Sequence, residues 1–446
     1  MTLTKKHFAL TPLCAIFACG SVYATNGMLM EGYGPISTGM GGASQAFDHG
    51  TAAMAQNPAT LALGSAESRL DVALGLLGPK VSSSMPGMPD APSGGTSYAM
   101  PAIGYIARSG NLTYGLGMFA QGGMGTEYGA NTFLAAGSGD PVRSELSVGN
   151  VIIPVAYQMG PDVTLGATLD YMWSGLDMLM AASPMQLGSM VTGGSGALGS
   201  ALGSGALNTA TWARINFTDS DKYTGAAKAT GFGAKIGATV KLNRDVTLGA
   251  SYRFKSMLDD MKSGATTASM TANAGGAPSA TFIDNGRITI IDFQMPSVLA
   301  VGGSWQVSPT LMLAADIKSI GWSSSMKSFK MRYDSAGMGG SVNFELPQNW
   351  KDQTVLNLGL SYTANENLTL RAGLNMADNP IPDAYVNPLF PATVTNHFTV
   401  GLGYKLASSA QINLAVTSAP TTTVNNGGMS IAHGQTNVQM MYTQRF

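Results

Sequence analysis

Charge is scarce in this chain. Lys, Arg, Asp and Glu make up 11% of its 446 residues, and the formal net charge is -1. Soluble surfaces carry roughly 25–35% charged residues, so a protein of this length is not built to meet water over its whole surface. The even balance of signs supplies neither a basic field for nucleic acid nor an acidic tail, and no nucleic-acid partner is expected. Cysteine is scarcer still, with only Cys14 and Cys19. Both lie in an N-terminal stretch where Lys5 and Lys6 precede an apolar run from Phe8 to Cys19, followed by Val22-Tyr23-Ala24. Those are the parts of a secretory signal, with cleavage expected after Ala24, so residues 1–24 are assigned to it. The apolar run, at about 12 residues, falls short of the roughly 20 that a spanning helix needs. Phe17 disfavours lipid attachment at Cys19. Once exported, the chain would hold no cysteine, which excludes disulfides, a thiolate nucleophile and cysteine-ligated metal.

Long apolar runs are also missing after the signal, which excludes membrane helices. Strict alternation recurs instead. In the stretch 163–173, Val163, Leu165, Ala167, Leu169, Tyr171 and Trp173 share one face, and Thr164, Gly166, Thr168 and Asp170 share the other. The same two-residue period returns in GFGAKIGATVKL, VTLGASYRF, VLNLGLSY, LTLRAGLNM, HFTVGLGY and AQINLAV. Each such strand has one apolar and one polar or glycine face. A soluble sandwich and a membrane barrel both produce this pattern. Connection lengths favour the barrel. Tight turn signals at 108–111, 160–162, 243–245, 307–309, 365–367 and 408–409 alternate with longer polar or glycine-rich segments, as periplasmic turns and outer loops do. Tyr105, Tyr157, Trp305, Tyr362 and Tyr404 stand two to four residues before those turns, where a headgroup-level girdle requires rings. The expected fold is an all-β, fourteen-stranded antiparallel transmembrane barrel formed by residues 67–446.

Residues 25–66 escape the alternation. They are rich in Gly, Ala, Ser and Met, and Thr51 to Gln56 suit a short helix that stops before Asn57-Pro58, because the residue before proline disfavours helix. A segment of that kind is unstable alone. It is expected to sit inside the barrel as a small helical hatch.

Several stretches carry a resemblance. Asn57-Pro58-Ala59 after a Gly/Ala-rich lead, Gly123-Met124-Gly125-Thr126-Glu127-Tyr128 at the end of the third strand, Leu346 to Asp352 entering the tenth, and Arg371-Ala372-Gly373-Leu374 followed by Asp378 to Pro382 occur in order over nearly the whole exported chain. In these pieces the sequence resembles the FadL family, outer-membrane transporters of long-chain fatty acids and other hydrophobic compounds. The resemblance implies a hatch-plugged barrel, an outer hydrophobic groove, an inner pocket and a side opening at a kinked third strand. The chain departs from the family pattern in lacking an Asn-Glu-Gln stretch and in having Thr60 after the triplet. Those departures bear on substrate more than on fold.

Candidate residues follow. Asn57, Pro58 and Ala59 are the expected gate of the hatch. Gly122, Gly123 and Gly125 interrupt the third strand, either as a bulge that eases curvature or as a lateral opening. The long loop assigned to about 174–227 holds Leu176, Met178, Leu179, Met180, Met185, Leu187, Met190 and Trp212, an apolar load that fits either a self-packed loop or a ligand groove. Parity puts Lys235, Arg253, Lys255 and Arg371 on the interior face, where they hydrate or pair within the lumen, or bind a carboxylate if the ligand is a fatty acid.

Catalysis finds no footing. His7, His49, His397 and His433 have no metal-ligand spacing, G-x-S-x-G is absent, and G-x-G-x-x-G at 194–199 lies in a Gly/Ser-rich loop with no strand expected before it. His397, inward on the twelfth strand, is the sole candidate for a wall-mounted catalytic histidine. No enzyme activity, cofactor or metal is expected. The expected function is passive uptake of fatty acids or related apolar compounds, with aromatic or alkane hydrocarbons as the alternative cargo and a structural or adhesive barrel as the alternative role. The expected partners are that hydrophobic molecule, outer-membrane lipid and lipopolysaccharide, around a monomer.

Overall fold

Alternating residues build strands whose backbone groups pair only with neighbours, and a sheet in lipid has no stable free edge. The computed structural model describes residues 26–446 apart from 206, 208, 222 and 274–278; the secretory signal assigned to 1–24 lies outside the described residues. Within them the sheet closes on itself. The ring strands, in chain order, are β1 (Ser68–Ser84), β2 (Tyr98–Ser109), β3 (Leu112–Tyr128), β4 (Val142–Met159), β5 (Val163–Ala182), β6 (Ala227–Lys241) and β7 (Val246–Arg253). They continue as β8 (Val298–Ser308), β9 (Leu311–Ile320), β10 (Gln353–Thr363), β11 (Leu368–Ala377), β12 (His397–Lys405), β13 (Ala410–Asn426) and β14 (Met429–Arg445). Each pairs antiparallel with the next. β14 returns to β1 in register from Arg69↔Arg445 to Ser84↔Ser430.

Among the described residues the sheet has 23 strands, more than the fourteen counted from sequence. The surplus consists of short strands in the long connections, outside the ring. Two strands, β5 of the ring and one of the surplus, correct the sequence reading. β5 does not give way to a loop at 174 but runs to Ala182, carrying Leu176, Met178, Leu179 and Met180. A strand at Val191–Ser195 precedes the G-x-G-x-x-G stretch and a helix at Gly196–Gly203 follows it. The strand pairs antiparallel with Ser341–Pro347, so no parallel nucleotide-binding unit is formed.

The two faces of the wall are inverted relative to a soluble protein. Leu165, Leu169 and Tyr171 are exposed on the outside, while Thr164, Thr168 and Asp170 between them are buried inside. The five ring-bearing residues near the turns are all exposed on the outer face, at the depth of a girdle.

Residues 26–67 lie inside the ring as an α-helix at Gly34–Thr38 and 3-10 helices at Thr51–Ala55 and Pro58–Leu63. Asn57-Pro58 was expected only to end a helix, yet it also begins one. Proline is tolerated at the first helical position, and the Asn57 side chain accepts from the Ala59 amide at 3.1 Å as its cap. The same side chain donates to the carbonyls of Gln45 at 2.8 Å and Ala238 at 3.3 Å, pinning the triplet to β6. The wall leaves room for this. Gly166 and Gly237 face each other across β5 and β6, and a β-carbon on Gly237 would overlap Asn57 Oδ1 while one on Gly166 would stand 2.6 Å from the Pro58 carbonyl carbon.

Charge secures the periplasmic end. Arg69 Nε donates to Asp71 at 2.9 Å, its Nη1 lies 3.4 Å from Asp48 of the hatch, and Asp71 accepts from the Thr51 amide at 2.7 Å. Arg108 Nη2 donates to the carbonyls of Ala62 and Gly64, both at 2.7 Å. Replacing Gly237 by Val should therefore unseat the triplet while leaving strand pairing intact, at about 1–3 kcal/mol of overpacking. In planar bilayers the variant should show larger and noisier conductance than the parent, whereas an equal conductance would mean that the notch does not hold the plug.

Candidate functional site

Among the described residues the wall parts where β2 and β3 separate. β2 pairs with β3 only from Ser109↔Leu112 to Ala102↔Phe119. Beyond that point Tyr98–Pro101 stay on β1, while Gly122–Tyr128 stay on β4 after a bulge between Ala120 and Gly122. The parted edge of β3 is satisfied elsewhere. Leu29 of the hatch forms a bridge with Gly122, and Glu127 exchanges bonds with the β1–β2 loop through Gly94 N at 2.7 Å and Ser93 Oγ at 3.0 Å. A β-carbon at Gly122 would overlap the Met28 carbonyl oxygen, so only glycine admits the hatch there. Between these two patches, at Gly123 to Gly125, the wall is open.

A cavity of about 570 Å³ occupies the gap. Its lining includes Leu74 and Met118, 43% and 38% exposed on the outer face, and also His397, 2% exposed on the inner face. One continuous space thus touches both the lipid side and the interior. Met100, Phe119, Met124 and Leu146 make most of its surface apolar, and hatch residues Gly27 to Glu31 form one side. Among the described residues no Lys or Arg lines it. Of the two carboxylates that do, Glu145 is paired with Arg143 at 2.5 Å and Glu31 accepts from Asn437 Nδ2 at 3.3 Å.

The candidate cations stand elsewhere. Lys235 is buried in an ion pair with Asp170. Arg253 donates from Nη1 to Gln121 Oε1 at 3.2 Å and from Nη2 to the Pro296 carbonyl at 3.4 Å. Both line a separate space of about 60 Å³ together with Lys318. Arg371 donates to Asn413 Oδ1 at 3.1 Å. Lys255 is not on a strand, as parity had placed it, because β7 ends at Arg253; it donates to the Ser324 carbonyl at 2.9 Å.

Of the expected groove residues, Leu176, Met178 and Met180 line a small apolar space of about 30 Å³, which shares Met28, Met124 and Leu146 with the large cavity. Leu187 and Trp212 are buried within the outer loops, Leu179 and Met190 are half-buried, and Met185 is 85% exposed. The loop is therefore largely self-packed, and the three strand residues line only the small space that adjoins the large cavity. His397 Nδ1 donates to Asn375 Oδ1 at 3.2 Å. Its ring is a structural donor beside the cavity, with no nucleophile among its bonds. Sequence reasoning missed Met28, Met118 and Gln121; the first two carry no pattern that separates them from other methionines, and Gln121 is hidden among glycines.

A closed barrel with an apolar outside, a polar inside, an internal plug and a side cavity defines an outer-membrane channel for hydrophobic molecules. The family model described as outer membrane protein transport protein (OMPP1/FadL/TodX) matches residues 18–444, and the chain belongs to that family. It is similar to the crystal structure of the toluene transporter TodX of Pseudomonas putida, with 29% identity, TM-score 0.84, and 93% of this chain and 99% of that one covered. The Ralstonia pickettii toluene transporter TbuX is also similar, at 29% identity, TM-score 0.77 and coverage of 93% and 99%. An uncharacterized protein from the phosphoenolpyruvate carboxykinase gene 5′ region of Chlorobium limicola is 34% identical over 122 residues, 27% of this chain. The matched stretch spans 59% of that relative's length.

The burial of His49 predicts a pH dependence for the seating of residues 26–67. Its ring is fully buried, Nδ1 donates to the Phe47 carbonyl at 3.0 Å, and Nε2 has no partner among the described residues. Burial is the largest influence and holds its pKa below the ordinary 6.5; Arg69 and Lys318 act in the same direction, and the Phe47 carbonyl and Asp48 oppose them. The neutral ring is thus favoured in the seated hatch, so its stabilising contribution is full above about pH 6.5 and is lost as pH falls below it. Bilayer recordings should show bursts of current growing more frequent from pH 7 to pH 5, and His49→Gln should flatten that dependence.

Proposed function

We propose that the protein passively carries neutral hydrophobic molecules, small aromatic hydrocarbons foremost, from the outer loops into the lipid of the outer membrane through the gap beside β3. The observation that carries this reading is a single cavity lined both by lipid-facing Leu74 and Met118 and by interior His397. An apolar solute in such a space loses nothing by leaving sideways into lipid, whereas the route straight down ends at the charged Asp48–Arg69–Asp71 floor.

The cargo is read from charge. A fatty-acid carboxylate entering the cavity would meet Glu31 and Glu145 and no cation, and burying an unpaired charge costs several kcal/mol. Toluene, which the names of TodX and TbuX give as their cargo, needs no such partner. The alternative role, an adhesive barrel without transport, leaves the through-wall cavity without a use. Hatch displacement is the proposed gate, and a monomer with membrane lipid and lipopolysaccharide around its apolar belt is the proposed assembly.

Two measurements test the reading. Ala99→Trp and Ala120→Trp, which fill the gap from its two edges, should each lower toluene uptake into proteoliposomes about tenfold without affecting assembly; unchanged uptake would remove the side route. In competition for the purified protein, laurate should bind at least about a hundredfold more weakly than toluene, a difference of ~2.7 kcal/mol. Equal affinity would return the fatty-acid reading.

A further inference from the structure

We propose that Gln121 is the positioning residue that keeps the side opening open, and that the interior cations Arg253 and Lys235 serve to hold it rather than to bind a carboxylate. The inference rests on the side route proposed above. Gln121 is the extra residue of the β3 bulge, and its side chain is 1% exposed on the interior face. Three of its polar groups are engaged, each by a different element. Its backbone carbonyl accepts from the Tyr33 hydroxyl of the hatch at 2.6 Å. Its Nε2 donates to Asn150 Oδ1 of β4 at 3.0 Å, and its Oε1 accepts from Arg253 Nη1 of β7 at 3.2 Å. Asn150 in turn donates to Asp170 of β5 at 3.3 Å, and Asp170 pairs with Lys235 of β6.

The chain of bonds therefore runs from hatch to bulge to the far wall. A bulge displaces one residue from the ladder and bends its strand. Here the displaced residue is fastened inward at three points, which prevents β3 from slipping by one residue and zipping onto Tyr98–Pro101 of β2. Loss of the fastening removes buried partners in a low-dielectric site, where an unmade bond is costly and the alternative pairing gains. Tyr33 sits only four residues from Leu29, which bridges Gly122. Movement of that hatch segment and movement of the bulge are consequently one event.

Gln121→Met keeps the side-chain length and deletes both of its hydrogen bonds. Tyr33→Phe deletes one oxygen and keeps the ring packed among Met54 and Phe119, so it tests the same link with little risk to folding. In proteoliposomes the maximal rate of toluene uptake should fall about tenfold in Gln121→Met and about threefold in Tyr33→Phe, with toluene affinity of the purified protein within twofold of the parent. The double variant should be no slower than Gln121→Met alone, since both act on one linkage. A maximal rate equal to the parent's in both single variants, or a loss of affinity as large as the loss of rate, would overturn the inference. Failure of the parent itself to take up toluene would instead count against the side route.

Discussion

Everything in this molecule follows from the demand that a backbone in lipid satisfy its hydrogen bonds internally. Closure from β14 to β1 answers that demand around the ring, and it is broken on purpose at one site. Where β2 and β3 part, the freed groups of β3 are taken up by Leu29 of the hatch and by Ser93 and Gly94 of the adjoining loop. An opening in the wall is thus possible only because two other segments stand in for the missing strand. The plug and the gap are consequences of one constraint and cannot be separated.

The hatch is held chiefly through its backbone. Small wall residues let its carbonyls and amides approach, as at the Gly166–Gly237 notch, and polar wall residues receive them. Asn357 donates to the Gly41 carbonyl, the Ser44 amide donates to Asp316 at 2.7 Å, and Ser304 Oγ donates to the Ala46 carbonyl at 2.9 Å. A polar interior in a membrane barrel is usually thought of as lining for water. Here much of it is a docking face for 42 or so residues of plug that have too little apolar surface to fold alone.

How much of this was legible in the sequence depended on whether one face of a segment stayed simple. Alternation exposed the ring strands because one face meets lipid and the other a polar interior, as Leu165 and Thr164 illustrate. It failed on the outer half of β5, where residues 174–178 are buried on both faces beneath loops and the period of two disappears. Parity likewise failed at Lys255, since it holds only while the strand continues. The glycines of β3 signalled an irregularity, but the clamp at Gln121 depends on Tyr33, Asn150 and Arg253 from three distant segments. No local pattern encodes such a meeting. The roles of the interior cations were undecidable for the same reason, since parity gives the face and not the partner.

The gap beside β3 also changes what the surrounding membrane is to this protein. With the outward-facing Leu74 and Met118 on its rim, the cavity would serve, on the proposed side route, as a small inlet of the bilayer's hydrocarbon phase. On the side route proposed above, a solute that enters from the loops would change solvent before it leaves the protein. On that view the bilayer acts as an extraction phase, and the net flux is governed by how far the solute prefers oil to water, with no coupled energy source required.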